Sequence, residues 1–141
     1  MSVVVVDASV VVKWFIPEIH SERARRLLSG DDHYVAPDLL FAEIGSVIWK
    51  KIRRGELGAA EGRRLMGDVP AIAVETIATR DLVVDAHALA VATDITVYDA
   101  MYLALAARLD TAMITADDRL ARKISSYRTA ARHLRLLQEL Q

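Results

Sequence analysis

The sequence predicts an α/β fold, with helices layered on both faces of a mostly parallel sheet, and three observations lead there. Val3–Val6 is apolar at every position, where a strand with one wet face would alternate. An unbroken run suits a central parallel strand covered on both sides. Strand-like segments then alternate with helical ones, the order that builds a parallel sheet with crossover helices. Finally, 141 residues with 53% hydrophobic and 26% charged side chains, and no low-complexity linker, fit one domain over residues 1–141 that buries roughly two thirds of its extended surface.

The elements follow in order. Residues 3–6 form the first strand and residues 8–15 a short helix. HSERARRLLSG, residues 20–30, is a second helix ended by Gly30. A brief strand over 34–36 precedes the clearest long helix, PDLLFAEIGSVIWKKIRRG, which Pro37 and Asp38 start and Gly55 stops. Residues 57–66 give another helix, 69–74 a strand and 78–92 a helix. The helix over 99–108 has an apolar face rich in small residues, 112–115 is a strand, and 117–123 opens a further helical turn. The ending YRTAARHLRLLQELQ, from about residue 128, reads as a helical tail carrying basic residues.

Composition removes several classes of function. Eighteen basic against 19 acidic residues, a net charge of -1, do not describe a uniformly basic nucleic-acid coat, and the hydrophobic content is too high for a disordered tail. No uncharged stretch between charged residues exceeds eight residues, against the roughly 20 that cross a bilayer, so no membrane span is expected. Asp7 interrupts the apolar start and no Lys precedes it, unlike a secretory signal. Without Cys there is no disulfide framework or thiolate metal site, and the four His lack zinc-ligand spacing. A cytoplasmic location fits.

In parallel α/β folds chemistry gathers beyond the carboxyl ends of the strands. Asp7, directly after the first strand in VVVVDAS, and Asp117, two residues after Thr115 in MITADDRL, both fall on that edge. Glu43, between Ala42 and Ile44, and Asp99, in TVYDAMYLALAAR, are set in helices whose neighbours are apolar. Four oxygen donors without His or Cys suit Mg²⁺, or Mn²⁺, better than structural zinc. Each acid also has a purely structural reading. Asp7 and Asp117 suit helix N-caps, Asp99 a capping box with Thr96, and Glu43 an internal salt bridge or a partly exposed helix position. Ser9 and Thr115 read equally as turn hydroxyls.

Together VVVVDASVVVKWF, AEIGSVIW, TVYDAMYLALA and MITADDRL span residues 3 to 120, and in this order they resemble the PIN-domain nucleases. The similarity is closer to the VapC toxin ribonucleases of bacterial and archaeal type II toxin–antitoxin systems. This resemblance implies a PIN-like three-layer α/β/α sandwich and a metal-dependent endoribonuclease leaving a 5′-phosphate and a 3′-hydroxyl. It implies Asp7, Glu43, Asp99 and Asp117 as the catalytic, metal-holding acids, with Ser9 and Thr115 supporting the first and last. Asp118 competes with Asp117 for the inward position, and the motif favours Asp117. The resemblance further implies a VapB-like antitoxin that masks the cleft, a toxin homodimer, and structured RNA as substrate, transfer RNA among the candidates. It also implies a final strand, which the helical tail contradicts.

The mean charge hides two basic stretches. Residues 50–64 hold six basic against two acidic side chains, a net +4, and residues 119–141 hold six against one, a net +5. From them Lys50, Lys51, Arg53, Arg54, Arg119 and Arg122 are candidate RNA-phosphate contacts, with solvated helix faces as the alternative. Trp14, Trp49 and Tyr102 have apolar surroundings that favour core or subunit packing over base stacking. Two rival functions stand beside the ribonuclease. A catalytically silent PIN-like RNA- or protein-binding regulator would keep the acids without using them. A Mg²⁺-dependent phosphatase is weakened by the absence of an Asp-x-Asp pair after the first strand and of a Gly-rich phosphate loop.

Overall fold

A computed structural model of the chain describes residues 2–141. Five strands, β1 (Val3–Val6), β2 (His33–Pro37), β3 (Val74–Ile77), β4 (Met113–Thr115) and β5 (Leu134–Leu136), make one sheet in the order β3-β2-β1-β4-β5. All four neighbouring pairs are parallel. β1 is central, with Val5 opposite both Val35 and Met113. Val5 and Val6 are fully buried, as expected of a strand covered on both faces.

Among the described residues eight α-helices connect the strands: α1 (Ala8–Phe15), α2 (Ser21–Leu27), α3 (Leu39–Arg53), α4 (Ala59–Asp68), α5 (Val83–Thr93), α6 (Val97–Arg108), α7 (Asp118–Ile124) and α8 (Arg128–Ala131). α6 packs on β1, β2 and β4, while α1 packs on β4 and α3. The result is an α/β/α sandwich. Its topology reverses at β1: the chain adds β2 and β3 on one side, then β4 and β5 on the other. Connections leaving β1 and β4 therefore diverge, which opens a crevice beyond their carboxyl ends.

Local signals explain the boundaries. α3 stops where Gly55 adopts a left-handed φ of +73° and its N–H reaches Ile52 O, while Glu56 N–H reaches Lys51 O. α6 begins at Thr96, whose hydroxyl accepts the Asp99 N–H at 3.1 Å. Among the described residues no single helix is long and apolar enough to cross a membrane; α5 and α6 reach that length and composition only as a pair bent by 112°.

Two expectations need correction. The strand foreseen over 69–74 is displaced: Val69–Ala71 is a 3₁₀ turn and only Val74 joins β3. Pro70 has no N–H for a ladder, so pairing starts after it. The ending is not one long helix either. α8 spans a single turn, then β5 pairs with β4, placing Leu134 opposite Met113 and Leu136 opposite Thr115. An unpaired β4 would leave a row of bare amides on its outer side, and the Leu-Arg-Leu alternation lets this segment fill it. Arg23 ties the remainder down through the Gln138 and Leu140 carbonyls.

α4 seats on α3 through Gly62, where a Cβ would lie 2.5 Å from Ile52 Cδ1 and 3.1 Å from Ile52 Cγ1. Gly62→Val is therefore expected to destabilise the fold by about 1–3 kcal/mol, read as a lowered urea midpoint at unchanged slope.

Candidate active site

The crevice is built from four separate segments. Asp7 leaves β1 and caps α1, its Oδ1 accepting the Val10 N–H at 3.3 Å and the Ser9 hydroxyl at 2.5 Å. Asp117 follows β4 and caps α7, its Oδ1 accepting the Arg119 N–H at 2.9 Å and the Leu120 N–H at 3.2 Å. Glu43 lies on α3 and Asp99 in the first turn of α6. All four acids line one cavity of about 260 Å³, together with Ala8, Ser9, Ser46, Val47, Lys50 and Tyr102. Larger hollows of about 590 and 730 Å³ lie around the C-terminal segment, but neither collects these acids.

Hydroxyl groups hold the rim together. Ser9 donates to Asp7 and accepts the Ala116 N–H at 2.9 Å, so one side chain joins the end of β1 to the end of β4. Its oxygen is also 3.4 Å from Thr115 Oγ1, which accepts the Asp117 N–H at 3.1 Å. Tyr102 donates its hydroxyl to Glu43 Oε1 at 2.5 Å, linking α6 to α3. Tyr102 packs as the sequence suggests, 1% exposed, and the bond to Glu43 comes in addition. Its position three residues after Asp99, on the same helical face, was the available signal.

Burial, with repulsion between the acids adding to it, raises the pKa values of Asp7, Glu43 and Asp99. Asp7, 7% exposed, is pushed up to about 6 mainly by desolvation, with Asp99 adding repulsion and the hydroxyls of Ser9 and Thr115 pulling the other way. Burial also raises Glu43, against the Tyr102 bond and with help from Asp99. Asp99 is raised by burial and then by Asp117, while Thr96 opposes the shift. The Tyr102 phenol is driven upward by desolvation and by Glu43, so it remains a donor.

The oxygen-only donor set and its unbalanced negative charge fit a hard divalent cation. Among the described residues no group of three or more His, Asp or Glu side chains is placed to hold a metal ion. Asp118 is turned elsewhere: it is exposed, and Gln138 Nε2 donates to its Oδ1 at 3.1 Å.

The basic candidates separate by geometry. Lys50 lines the acid cavity. Lys51 is engaged in an ion pair, its ammonium 2.9 Å from Glu18 Oε2 and its side chain 19% exposed. Glu18 also binds Lys13, and the two lysines hold its carboxyl below the usual range against burial, which acts the other way. Arg53 lies 4.8 Å from the Trp49 ring centre, while Arg54, Arg119 and Arg122 are not closed into ion pairs among the described residues. Trp49 is 53% exposed in the single chain, outside the core, whereas Trp14 packs, donating its Nε1 proton to Ala24 O at 2.9 Å.

Comparison with known proteins agrees with this construction. The PIN domain family matches residues 4–124. Ribonuclease VapC3 of Pyrobaculum aerophilum is 36% identical over 123 residues, covering 84% of this chain and 92% of that protein. Ribonuclease VapC9 of Mycobacterium tuberculosis is 35% identical over 120 residues, covering 84% and 88%. Among solved structures, a toxin–antitoxin complex from Klebsiella pneumoniae superposes with a TM-score of 0.63 at 12% identity, over 97% of this chain and 99% of that one. A crystal structure from Pyrobaculum aerophilum gives 0.59 at 22% identity, over 91% and 89%. At such identities the superpositions speak for the fold alone. With the family match over most of its length and relatives above one third identity, the chain belongs to the PIN-domain family, among the VapC-type ribonucleases.

Proposed function

We propose that this protein is the toxin of a type II toxin–antitoxin pair and acts as a divalent-metal-dependent endoribonuclease. The observation that carries the reading is the meeting of Asp7, Glu43, Asp99 and Asp117, from four segments of the chain, in one cavity beside Lys50. Asp7, Asp99 and Asp117 are the principal ligands in this reading, and Glu43 either joins them or orients water. When bound, the cation supplies positive charge to the scissile phosphate and acidifies water for in-line attack.

The side chains of this protein perform the remaining work. Ser9 and Thr115 fix the Asp7 carboxylate against β4, and Tyr102 fixes Glu43, so the acids need little reordering when substrate arrives. Lys50 counters phosphate charge inside the cavity, while Arg54, Arg119 and Arg122 attract the flanking backbone. Structured RNA, transfer RNA included, is the proposed substrate class. A small antitoxin, homodimerisation and a cytoplasmic location complete the proposal through the VapC relatives rather than through any contact in this chain.

The decisive experiment incubates the purified protein with structured RNA and with nucleotide monoesters, in Mg²⁺, in Mn²⁺ and in EDTA. Internal RNA cleavage that requires the metal supports the proposal, whereas RNA bound but never cut points to a silent binding protein, and monoester turnover alone to a phosphatase. Asp7→Asn is expected to remove most cleavage while circular dichroism stays native; full activity in a metal titration refutes an essential Asp7.

Without metal the same substitution carries a pH signature. Because the folded-state pKa of Asp7 is raised from 3.8 to about 6, its contribution to stability is complete below about pH 4 and is lost as the pH rises through 6. At roughly 1.36 kcal/mol per pKa unit this is about 3 kcal/mol, so Asp7→Asn should melt higher than the wild type at pH 7.5 in EDTA. Added Mg²⁺ should then raise the wild-type Tm and leave the variant nearly unmoved. Tyr102→Phe should weaken metal affinity about tenfold or more without unfolding the chain, measured by titration calorimetry.

A further inference from the structure

We propose that Trp49 and Arg53 on α3 form a stacking subsite for an unpaired RNA base, flanking the acid cavity; the proposal rests on the ribonuclease reading above. Trp49 is a large apolar side chain left 53% exposed, and the Arg53 guanidinium carbon lies 4.8 Å from its ring centre. Such a cation–π contact steadies the indole without covering all of it.

Helix geometry sets where this platform lies. Glu43, Ser46 and Lys50 recur at spacings of three and four residues and line the cavity, so they define one face of α3. Trp49 is one residue, about 100°, around the helix from Lys50, on the border of that face. Along the axis it stands six residues beyond Glu43, about 9 Å at ~1.5 Å per residue, or two to three stacked nucleotides at ~3.4 Å each. A strand whose phosphate meets the acids and Lys50 therefore carries a nearby base past Trp49.

The surroundings favour nucleic acid over a protein partner. On α3 the neighbours of Trp49 include the basic Lys50 and Arg53, with Arg53 against its ring. An isolated aromatic among cations matches single-strand binding, where stacking tolerates any base and the cations follow the backbone.

The test compares a ten-nucleotide uridine RNA with an abasic ribose-phosphate oligomer of equal length and charge, each bound to the full chain in EDTA. The wild type is expected to prefer the base-bearing RNA. Trp49→Ala should weaken that RNA roughly 5- to 150-fold and leave the abasic strand unchanged, with Trp49→Phe retaining part of the preference. Base-bearing RNA should also quench wild-type tryptophan emission, and Trp49→Phe, which leaves only the packed Trp14, should lose that response. Equal affinities of Trp49→Ala and wild type for the uridine RNA overturn the subsite. So does unchanged RNA binding with a dimer split to monomer in light scattering, which assigns Trp49 to contact between copies. If the wild type cleaves RNA but shows no base preference, the subsite falls alone; if it neither binds nor cleaves RNA with Mg²⁺ or without it, the ribonuclease reading falls with it.

Discussion

The Ser9 hydroxyl is the small group on which the site's construction turns. It donates to Asp7 and accepts from the Ala116 backbone, so the carboxyl ends of β1 and β4 are bound to one another at the point where the sheet changes direction. Parallel pairing sets the strands side by side, but their outgoing chains diverge. A hydrogen bond across the gap converts this divergence into a cavity with fixed walls. Thr115, fully buried beneath the same junction, turns its hydroxyl to the Asp117 amide and carries the order into α7.

That order maintains an electrostatically unfavourable arrangement. Asp99 raises the pKa of both Asp7 and Glu43, and Asp117 raises that of Asp99, so the carboxylates oppose one another's ionisation. The surrounding structure has to hold them, and it does so with apolar packing: Val5, Val6, Ile44, Ala100 and Leu103 are all at most 1% exposed on the elements that carry the acids. Stability elsewhere in the fold thereby supports charge concentration at its edge, a condition that a divalent cation would relieve.

The parts legible in the sequence were those where one pattern had one cause. Val3–Val6, the long α3 and the order of strands and helices follow from periodicity and from Gly55 as punctuation, although Pro37 closes β2 instead of opening the helix. The final strand was hidden because its three residues gain their meaning only from the open side of β4, a partner some twenty residues earlier in the chain. Local helix propensity of the surrounding Ala, Arg and Leu spoke against it. The surroundings of Lys51 and Trp49 were hidden for a related reason. A long helix exposes and covers neighbouring positions according to what packs on it, and Glu18, reaching across from the loop after α1, pairs with Lys51 while Trp49 stays half exposed beside Arg53.

For the acids, structural and chemical readings turn out not to compete. Asp7 and Asp117 are helix caps, and Thr96 caps the helix that begins before Asp99. A cap is a directional device: the amides of Val10, Arg119 and Leu120 each take hold of Oδ1 of their aspartate, and Tyr102 likewise holds Oε1 of Glu43. Fixing one oxygen of a planar carboxylate restricts where the other can point. Helix beginnings at the carboxyl edge of a parallel sheet thus supply aimed carboxylates from the same interactions that define the helices. The capping role is therefore part of how the acids are presented to the cavity, and a sequence that merely caps would place them no differently until α3 and α6 bring Glu43 and Asp99 to face them.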